Sequence, residues 1–472
     1  MNFSDHLSTH PWLIFLVTAL GVGMSSIDAG IVNVALPTIT HVFNATISQS
    51  QWTISGYLLI ICISLPLFGR LSDIFSKRKI YLIGFVTFTL SSAFCGAALN
   101  LSMLIISRLF QGIGAAMILA NNQAILMMTM PEGKRGRALG INSMLVAVGA
   151  VIGPGIGGLL IHLAGWRFIF YVNLPVGVLG CLMGFLLLPY DVSTNQKKFD
   201  VLGAIIFAIG MTSLLLFLND GNRWGWISLG SSICFLLAII FLPLFVWLEK
   251  HVKVPMLDFS LFKNWLFFSG NVNAFLVFVA LSINMLLLPF YLSQELKLLP
   301  AAMGLFLLIP PLLIMLTAPI SGYLADRMNQ SYLSGTGLGI LWMGLLMQSL
   351  LTPSTPLWLL ALQQMLIGMG CGLFNAPNNL TVLQNAPENK LGIAVSINSF
   401  VRNVGKVFGT VIATTVFVML KQYILKLHPD KTVLAFTVGF RSALWCSVIA
   451  IFIGFVVNLK RGKALERNRK QG

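Results

Sequence analysis

The chain has 472 residues, of which 57% are hydrophobic and only 9% are charged. Because soluble domains carry roughly 25% charged residues, this composition excludes a water-soluble globular protein, and most of the surface must face lipid. The net charge of +16 is typical of basic loops that orient membrane helices, so no nucleic-acid partner is expected.

Fourteen apolar segments are predicted to cross the membrane, since a bilayer core requires about 20 residues per helix. They cover about 12–36, 51–70, 80–98, 101–122, 138–162, 168–189, 201–218, 229–248, 265–292, 301–325, 332–351, 356–377, 392–418 and 437–458. With both termini in the cytoplasm, 20 of the loop and tail lysines and arginines lie inside and 7 lie outside. This bias predicts a multi-pass protein of the cell inner (cytoplasmic) membrane in that orientation.

The first predicted span contains Asp28, the only acidic residue that lies well inside a span. Burial in an apolar environment favours the uncharged form of a carboxyl group. A carboxyl that changes its protonation as its surroundings change can carry a proton, so Asp28 is a candidate for proton coupling. The alternative is an acid that stays neutral and bonds to a neighbouring side chain.

A basic loop that begins with a glycine follows the second span. It reads GRLSDIFSKRK from Gly69 to Lys79, and a shorter version, GYLADR, follows the tenth span from Gly322 to Arg327. An aspartate at such a junction can stabilise the N-terminus of a neighbouring helix. The candidate conformational residues of these two loops are Gly69, Asp73, Arg78, Gly322 and Asp326. The alternative for the basic residues is that they only orient the neighbouring helices.

The fourth span contains Arg108 within the sequence RLFQGIGAA. An arginine inside a span costs about 2.5–3.5 kcal/mol on insertion scales, so it should face the interior of the bundle and have a partner. A purely structural arginine, bonded to backbone carbonyl groups, is the alternative.

The fifth span contains the sequence GAVIGPGIGG, which begins at Gly149. The small residues Gly149, Gly153 and Gly157 are spaced four apart and permit close contact with another helix. Pro154 removes one backbone donor and is predicted to bend the helix.

The sequence repeats itself at a distance of 256 residues. Of the 13 positions in Pro131–Ser143, eight are identical to the aligned positions in Pro387–Ser399. A duplicated bundle of membrane helices is typical of a secondary transporter, which has its site between the two halves. Gln364 stands at the position that corresponds to Arg108, so this charge belongs to the first half alone.

These motifs resemble those of the major facilitator superfamily. The sequence DAGIVNVALP, which begins at Asp28, resembles the first helix of its fourteen-helix drug:proton antiporters. The resemblance implies an all-α membrane protein of the major-facilitator type, in which two extra transmembrane helices lie between two six-helix bundles. The implied parts are an N-terminal bundle at 1–190, a two-helix insertion at 191–255, a C-terminal bundle at 256–459 and a basic cytoplasmic tail at 460–472. It also implies that Asp73 docks near Lys390–Gly392, at the start of span 13, and holds the cytoplasmic side shut.

Several polar or cationic residues are candidates for the substrate cavity of such a transporter. They are Asn33, Tyr57, Gln111, Asn122, Asn378, Arg402 and Lys406. Asn122 and Asn378 are equivalent in the repeat, and hydrogen bonding between helices, without substrate contact, is the alternative role for them. Lys406 stands where the family more often has a small residue. It could repel cationic drugs, attract an anionic substrate or extend to the cytoplasmic surface.

The resemblance implies a proton-coupled secondary active exporter (antiporter) of amphipathic drugs or related small organic compounds. It would work by alternating access, as a functional monomer, with protons, a small-molecule substrate and the lipid bilayer as its partners. Asp28 and Arg108 would carry the proton coupling. The alternative is a proton-coupled uptake carrier for a small nutrient or peptide, although Pro189–Val192 lacks the P-E-S-P-R element of sugar porters.

A membrane enzyme or sensor is not expected from this sequence. It contains no Ser/His/Asp set, no phosphate-binding loop and no histidines or cysteines at metal-ligand spacing. The six cysteines lie in apolar segments, and none forms a C-x-x-C pair. No cofactor, metal or disulfide is therefore predicted.

Overall fold

The computed structural model describes most of the chain. The described residues are 11–45, 47–50, 52–190, 200–252, 255, 257–298, 300–352, 355–428 and 430–471. Some side chains inside helices lie outside the description, and these include two predicted site residues, Asn33 and Pro154. Within these limits the secondary structure is entirely helical.

Sixteen α-helices are described, numbered in chain order. They are α1 (Pro11–Val42), α2 (Ile47–Ser50), α3 (Trp52–Ile74), α4 (Lys77–Gly96), α5 (Leu101–Thr129), α6 (Arg135–Ala164), α7 (Phe168–Tyr171), α8 (Asn173–Leu187), α9 (Val201–Trp224), α10 (Leu229–His251), α11 (Trp265–Phe290), α12 (Pro300–Ala325), α13 (Gln330–Ser349), α14 (Leu357–Gln384), α15 (Leu391–Leu427) and α16 (Thr432–Gln471). A π-helical turn, Tyr291–Glu295, continues α11.

Polar side chains determine where several of these helices begin. The Asn100 side chain accepts a hydrogen bond from the backbone N–H of Met103 at 2.8 Å, which caps α5. Ser76 accepts one from the N–H of Lys79 at 3.1 Å and caps α4. Since the first N–H groups of a helix have no partner inside it, such a cap contributes about 1 kcal/mol.

Twelve of the described helices are long and apolar enough to cross a membrane. The predicted number of fourteen is therefore not supported by length and composition. The two predicted spans outside the twelve correspond to α6 and α13, which have 30 and 20 residues. α13 is rich in glycine and polar residues, which lower its mean hydropathy.

The chain divides into two compact units. Unit 1 comprises Met1–Thr212, Ile239–Phe259 and Ala386–Phe400, and it contains α1 to α8 together with parts of α9, α10 and α15. Unit 2 comprises Ser213–Ala238, Ser260–Asn385 and Val401–Gly472, and it contains α11 to α14, α16 and the remaining parts of α9, α10 and α15. Each unit has its own apolar core of buried aromatic and aliphatic side chains.

Glycines bring the same pair of helices together in both units. In unit 1, a Cβ atom on Gly114 of α5 would lie 2.6 Å from the backbone nitrogen of Phe88 in α4. In unit 2, a Cβ atom on Gly370 of α14 would lie 2.5 Å from the backbone nitrogen of Leu341 in α13. Gly114 and Gly370 are 256 residues apart, so the sequence repeat is also a repeat of helix packing.

Replacing Gly337 with alanine is expected to destabilise unit 2 by about 1–3 kcal/mol, the usual cost of overpacking. The added Cβ would lie 2.7 Å from the backbone nitrogen of Phe374, which cannot move without shifting α14. The measurement is thermal denaturation of the purified protein in detergent. Gly339→Ala is the matched control, because on the same helix its nearest neighbour would be 3.9 Å away. Equal stability of the two variants would contradict this packing.

Candidate functional site

The candidate site of unit 1 is centred on the carboxylate of Asp28, which is completely buried in α1. Its Oδ2 accepts a hydrogen bond from Nη1 of Arg108 at 2.6 Å. Its Oδ1 accepts one from Nε2 of Gln111 at 3.0 Å and one from Nδ2 of Asn173 at 2.9 Å. Three donors, one of them cationic, satisfy a charge that would otherwise be costly inside a membrane protein.

Arg108 has partners besides Asp28. Its Nε donates to the carbonyl oxygen of Thr53 at 2.9 Å, and its Nη1 also donates to Oε1 of Gln111 at 2.6 Å. The guanidinium carbon lies 4.0 Å from the centre of the Tyr57 ring, within the range of a cation–π contact. Neutral groups therefore hold the guanidinium in place independently of the carboxylate.

Five helices of unit 1 contribute to this network. Asp28 comes from α1, Thr53 and Tyr57 from α3, Arg108 and Gln111 from α5. The other two helices are α4, where Ser92 accepts a hydrogen bond from Gln111 at 2.7 Å, and α8, which begins at Asn173. A change in the charge at Asp28 would therefore alter contacts that join five helices.

The glycines of α6 press against the part of α1 that carries Asp28. A Cβ atom on Gly149 would lie 2.7 Å from the Cβ of Ser26, and one on Gly153 would lie 3.0 Å from the carbonyl oxygen of Ile27. One on Gly157 would lie 3.3 Å from the carbonyl oxygen of Ile31. The three predicted glycines thus share one face, and this face fixes the backbone around Asp28.

Unit 2 contains an uncharged counterpart of this network. Asn284, Gln348 and Gln364 follow Asp28, Ser92 and Arg108 by 256 residues each. Nε2 of Gln348 donates to Oδ1 of Asn284 at 2.7 Å. Nδ2 of Asn284 lies 3.5 Å from Oε1 of Gln364, at the limit of a hydrogen bond.

All three side chains of this counterpart are buried. The arrangement is therefore repeated in the two units, whereas the charge is not.

The structure places Asp73 at the N-terminus of α15, as the family resemblance implied. Its two carboxylate oxygens accept hydrogen bonds from the backbone N–H groups of Gly392 at 3.2 Å and Ile393 at 3.1 Å. Lys77 lies 2.8 Å away and forms a salt bridge with it. Gly69 permits this approach, because a Cβ atom there would lie 2.8 Å from the carbonyl oxygen of Gly392. All of these residues belong to unit 1.

Asp73→Asn is expected to weaken this contact by up to about 2 kcal/mol, which is the value of a charge at a partly buried helix terminus. The population in which α15 has separated from Asp73 would then rise up to about 30-fold. The measurement is thiol labelling in a Ser396→Cys background, since Ser396 is buried beneath Gly69. Glu132→Gln, an exposed carboxylate, is the control. Unchanged labelling would exclude Asp73 as a latch.

The other predicted conformational residues lie elsewhere. Arg78 stacks on the ring of Tyr190 at 3.6 Å and donates to the carbonyl oxygen of Phe185 at 2.5 Å, so it joins α4 to the end of α8. In unit 2, Gly322 is buried near the end of α12, and Asp326 lies directly after that helix.

The polar side chains of Asn122 and Asn378 make interhelical hydrogen bonds. Nδ2 of Asn122 donates to the carbonyl oxygen of Thr18 at 2.8 Å in unit 1. Nδ2 of Asn378 donates to that of Gly270 at 2.9 Å in unit 2. Both asparagines are about 1% exposed, so these contacts fit the interhelical alternative rather than a substrate contact.

Two cations of α15 lie close to one aromatic ring of α11. The guanidinium carbon of Arg402 is 5.9 Å from the centre of the Phe278 ring, and Nζ of Lys406 is 5.4 Å from it. Lys406 is exposed and Arg402 is partly exposed. Of the predicted cavity residues whose side chains are described, these two are the most accessible, whereas Tyr57 and Gln111 are buried in the network around Asp28.

Comparison with known proteins identifies the family. The sequence profile of the Major Facilitator Superfamily matches residues 18–410 and 272–471. The chain belongs to the major facilitator superfamily. It is therefore a multi-pass membrane transporter of a superfamily whose members bind small-molecule substrates within the membrane. Among the described residues, no group of three or more His, Cys, Asp or Glu side chains could bind a metal ion.

Two relatives within the superfamily align over most of the chain. The riboflavin transporter RibZ of Clostridioides difficile (strain 630) is 32% identical over 450 residues, which are 95% of this chain and 97% of the relative. The multidrug resistance protein Stp of Mycobacterium tuberculosis (strain ATCC 25618 / H37Rv) is 31% identical over 425 residues, which are 89% of this chain and 79% of the relative.

A solved structure supports the superfamily fold. The proton:xylose symporter XylE aligns with a TM-score of 0.66 at 15% identity, over 96% of each chain.

Proposed function

We propose that this protein is a proton-coupled exporter of amphipathic small organic compounds and that it works by alternating access. The observation that carries the proposal is the buried carboxylate of Asp28 with its three hydrogen-bond donors. The negative charge of such a carboxylate can be balanced either by its cationic partner or by a bound proton. When a proton binds Asp28, it competes with Arg108 for the same oxygen.

The surroundings of Arg108 make this competition possible. A guanidinium that loses its only acceptor inside a membrane protein would be left with a costly unpaired charge. Arg108 retains its hydrogen bonds to the carbonyl oxygen of Thr53 and the amide oxygen of Gln111, and its contact with the ring of Tyr57. Protonation of Asp28 would therefore weaken one contact among several, and the five helices of the network could then move.

The inward movement of a proton supplies enough energy for this transport. It yields about 2.3 kcal/mol per 100 mV of membrane potential and about 1.36 kcal/mol per unit of pH difference. Because the counterpart network of unit 2 is built on Asn284 and Gln364, coupling would depend on Asp28, and we expect one proton per cycle.

Export, rather than uptake, is supported by the sequence of α6 and by the relatives. The glycine motif that begins at Gly149 resembles that of antiporters in the superfamily, and Stp is named a multidrug resistance protein. We also propose that α6 and α13 cross the membrane, which gives fourteen spans. Their glycine faces pack against α1 and α14, both of which are candidate spans.

The orientation and the assembly are part of the same proposal. The excess of lysine and arginine in alternate loops supports cytoplasmic termini and a location in the inner membrane. The network around Asp28 is complete within one chain, which supports a functional monomer.

The experiment that tests this function uses the purified protein in proteoliposomes. A two-unit pH gradient is imposed, and the accumulation of amphipathic compounds is followed under a clamped membrane potential. One-for-one proton exchange sustains an accumulation of about 100-fold, because each pH unit corresponds to a factor of ten. Flux that is indifferent to the pH gradient would refute proton coupling.

A nutrient carrier is the second candidate function, and the similarity to RibZ over 95% of this chain favours it. The same proteoliposomes distinguish the two functions. Counterflow of riboflavin, together with no movement of unrelated amphipathic compounds, would favour the vitamin carrier over the exporter.

A further inference from the structure

Arg402 and Lys406, the cationic pair of unit 2, lie well inside α15. Arg402 is about 16 Å along α15 from its first residue, Leu391, at a rise of 1.5 Å per residue. Lys406 follows one turn later. The whole of α15, Leu391–Leu427, is a candidate span, so both cations lie in an apolar helix and not in a basic loop. Charged residues inside a span mark substrate or ion pathways and rarely face lipid.

The two cations are arranged around a single apolar surface. Both lie within 6 Å of the ring of Phe278, and they are one turn apart on the same helix. Thr410 continues this polar face one turn further along α15, and it is exposed like Lys406. A ligand on this face would meet positive charge beside an aromatic ring.

Five helices of unit 2, α11 to α15, carry no acidic residue that would attract a cationic ligand. The sequences of α11, α12, α13, α14 and α15 contain no aspartate or glutamate. A ligand that carries a carboxylate, sulfonate or phosphate group would be attracted to Arg402 and Lys406. A lipophilic cation would be repelled by both.

From this complementarity we infer that the substrate class is an aromatic or amphipathic anion, held by Arg402, Lys406 and Phe278. The expected transport of anions rests on the proposed export function. The expected preference for binding anions does not. Lys406 is the specificity-determining residue, because it is the more exposed of the two cationic residues. The hydroxyl group of Thr410 donates to the carbonyl oxygen of Lys406 at 3.0 Å, a bond that does not involve the lysine side chain.

Charge movement gives the inference an electrical consequence. If one proton enters as one monoanion leaves, two charges cross the membrane in each cycle. With a neutral substrate one charge crosses, and with a monocation none does. An inside-negative potential would therefore accelerate the export of an anion more than that of a neutral compound, and it would leave a cation unaffected.

The test uses three dyes that share one fluorophore and differ in charge. They are dansylglycine (anion), dansylamide (neutral) and a dansylaminoethyl-trimethylammonium salt (cation). Binding to the purified protein is measured by fluorescence titration, without a proton gradient. We expect dansylglycine to bind at least tenfold more tightly than the cation and Lys406→Met to remove most of this difference. Lys406→Glu should reverse the order of the anion and the cation.

Lys421→Met is the matched control, because it removes the same charge from the same helix, near Phe417 and Phe436 rather than Phe278. It should change the affinities by less than twofold. Equal binding of the three dyes, tighter binding of the cation, or no binding of the anion would overturn the inference. A binding preference for the anion without any proton-driven flux would support the inference and would refute the proposed export function alone.

Discussion

Asp28→Asn is expected to abolish proton-driven accumulation while leaving substrate exchange intact. In proteoliposomes with a two-unit pH gradient, the wild type should accumulate substrate about 100-fold and the variant should reach only equal concentrations. The reason is that an asparagine amide can neither bind nor release a proton near neutral pH. Its carbonyl oxygen can still accept the hydrogen bond from Arg108, and the amide of Asn173 can turn so that its oxygen accepts a hydrogen bond from the new NH₂ group.

Counterflow separates a coupling defect from a folding defect. Exchange of labelled for unlabelled substrate requires the conformational cycle but no proton gradient, so Asp28→Asn should keep it. Glu132→Gln, which neutralises an exposed carboxylate, should behave like the wild type in both assays. Gradient-driven accumulation by Asp28→Asn would show that the coupled proton binds elsewhere.

The sequence predicted the elements of the site but not their contacts. It placed Asp28 and Arg108 inside spans and required a partner for the arginine. It could not identify that partner, because the two residues are 80 positions apart and the hydrophobic pattern of a span does not reveal which side of the helix faces its neighbour. Asn173 was not predicted as a hydrogen-bond donor to the carboxylate for the same reason. The sequence did contain a signal for it, since Asn173 is a polar residue near the start of an otherwise apolar span.

The internal repeat identified pairs of equivalent residues. Asn122 and Asn378 were predicted to be equivalent, and each of them donates to a backbone carbonyl of a neighbouring helix. By contrast, the number of spans depended largely on hydropathy, and α13 is close to the limit because it is rich in glycine and polar residues. Packing requirements and hydropathy therefore disagree in α13, where Gly337 approaches the backbone of Phe374 in α14.

The comparison of the two networks indicates why a charge is tolerated in unit 1. Asn284 and Gln364 show that the fold accepts an uncharged amide pair at this place. The charged pair of unit 1 is thus not required by the architecture. The free-energy cost of burying this pair is explained if the charge has a function. One such function is to prevent the helices from moving until the charge is neutralised.

Arg108→Gln is expected to destabilise the protein by about 3–5 kcal/mol, the usual effect of removing one partner from a buried ion pair. The carboxylate of Asp28 would remain buried with only Gln111 and Asn173 as donors. Thermal denaturation in detergent measures the loss. Gly339→Ala, whose added Cβ has no neighbour closer than 3.9 Å, provides the reference for a substitution without consequence.

The double variant Asp28→Asn with Arg108→Gln should recover most of this loss. It places in unit 1 the same two residue types that unit 2 uses at Asn284 and Gln364, so no charge remains unpaired and each amide can pair with the other. Its proton-driven accumulation should stay absent, because the carboxyl group is missing. If the double variant were no more stable than Arg108→Gln alone, the main role of Arg108 would be its contacts with Thr53 and Tyr57. The ion pair would then not be the element that couples protons to movement.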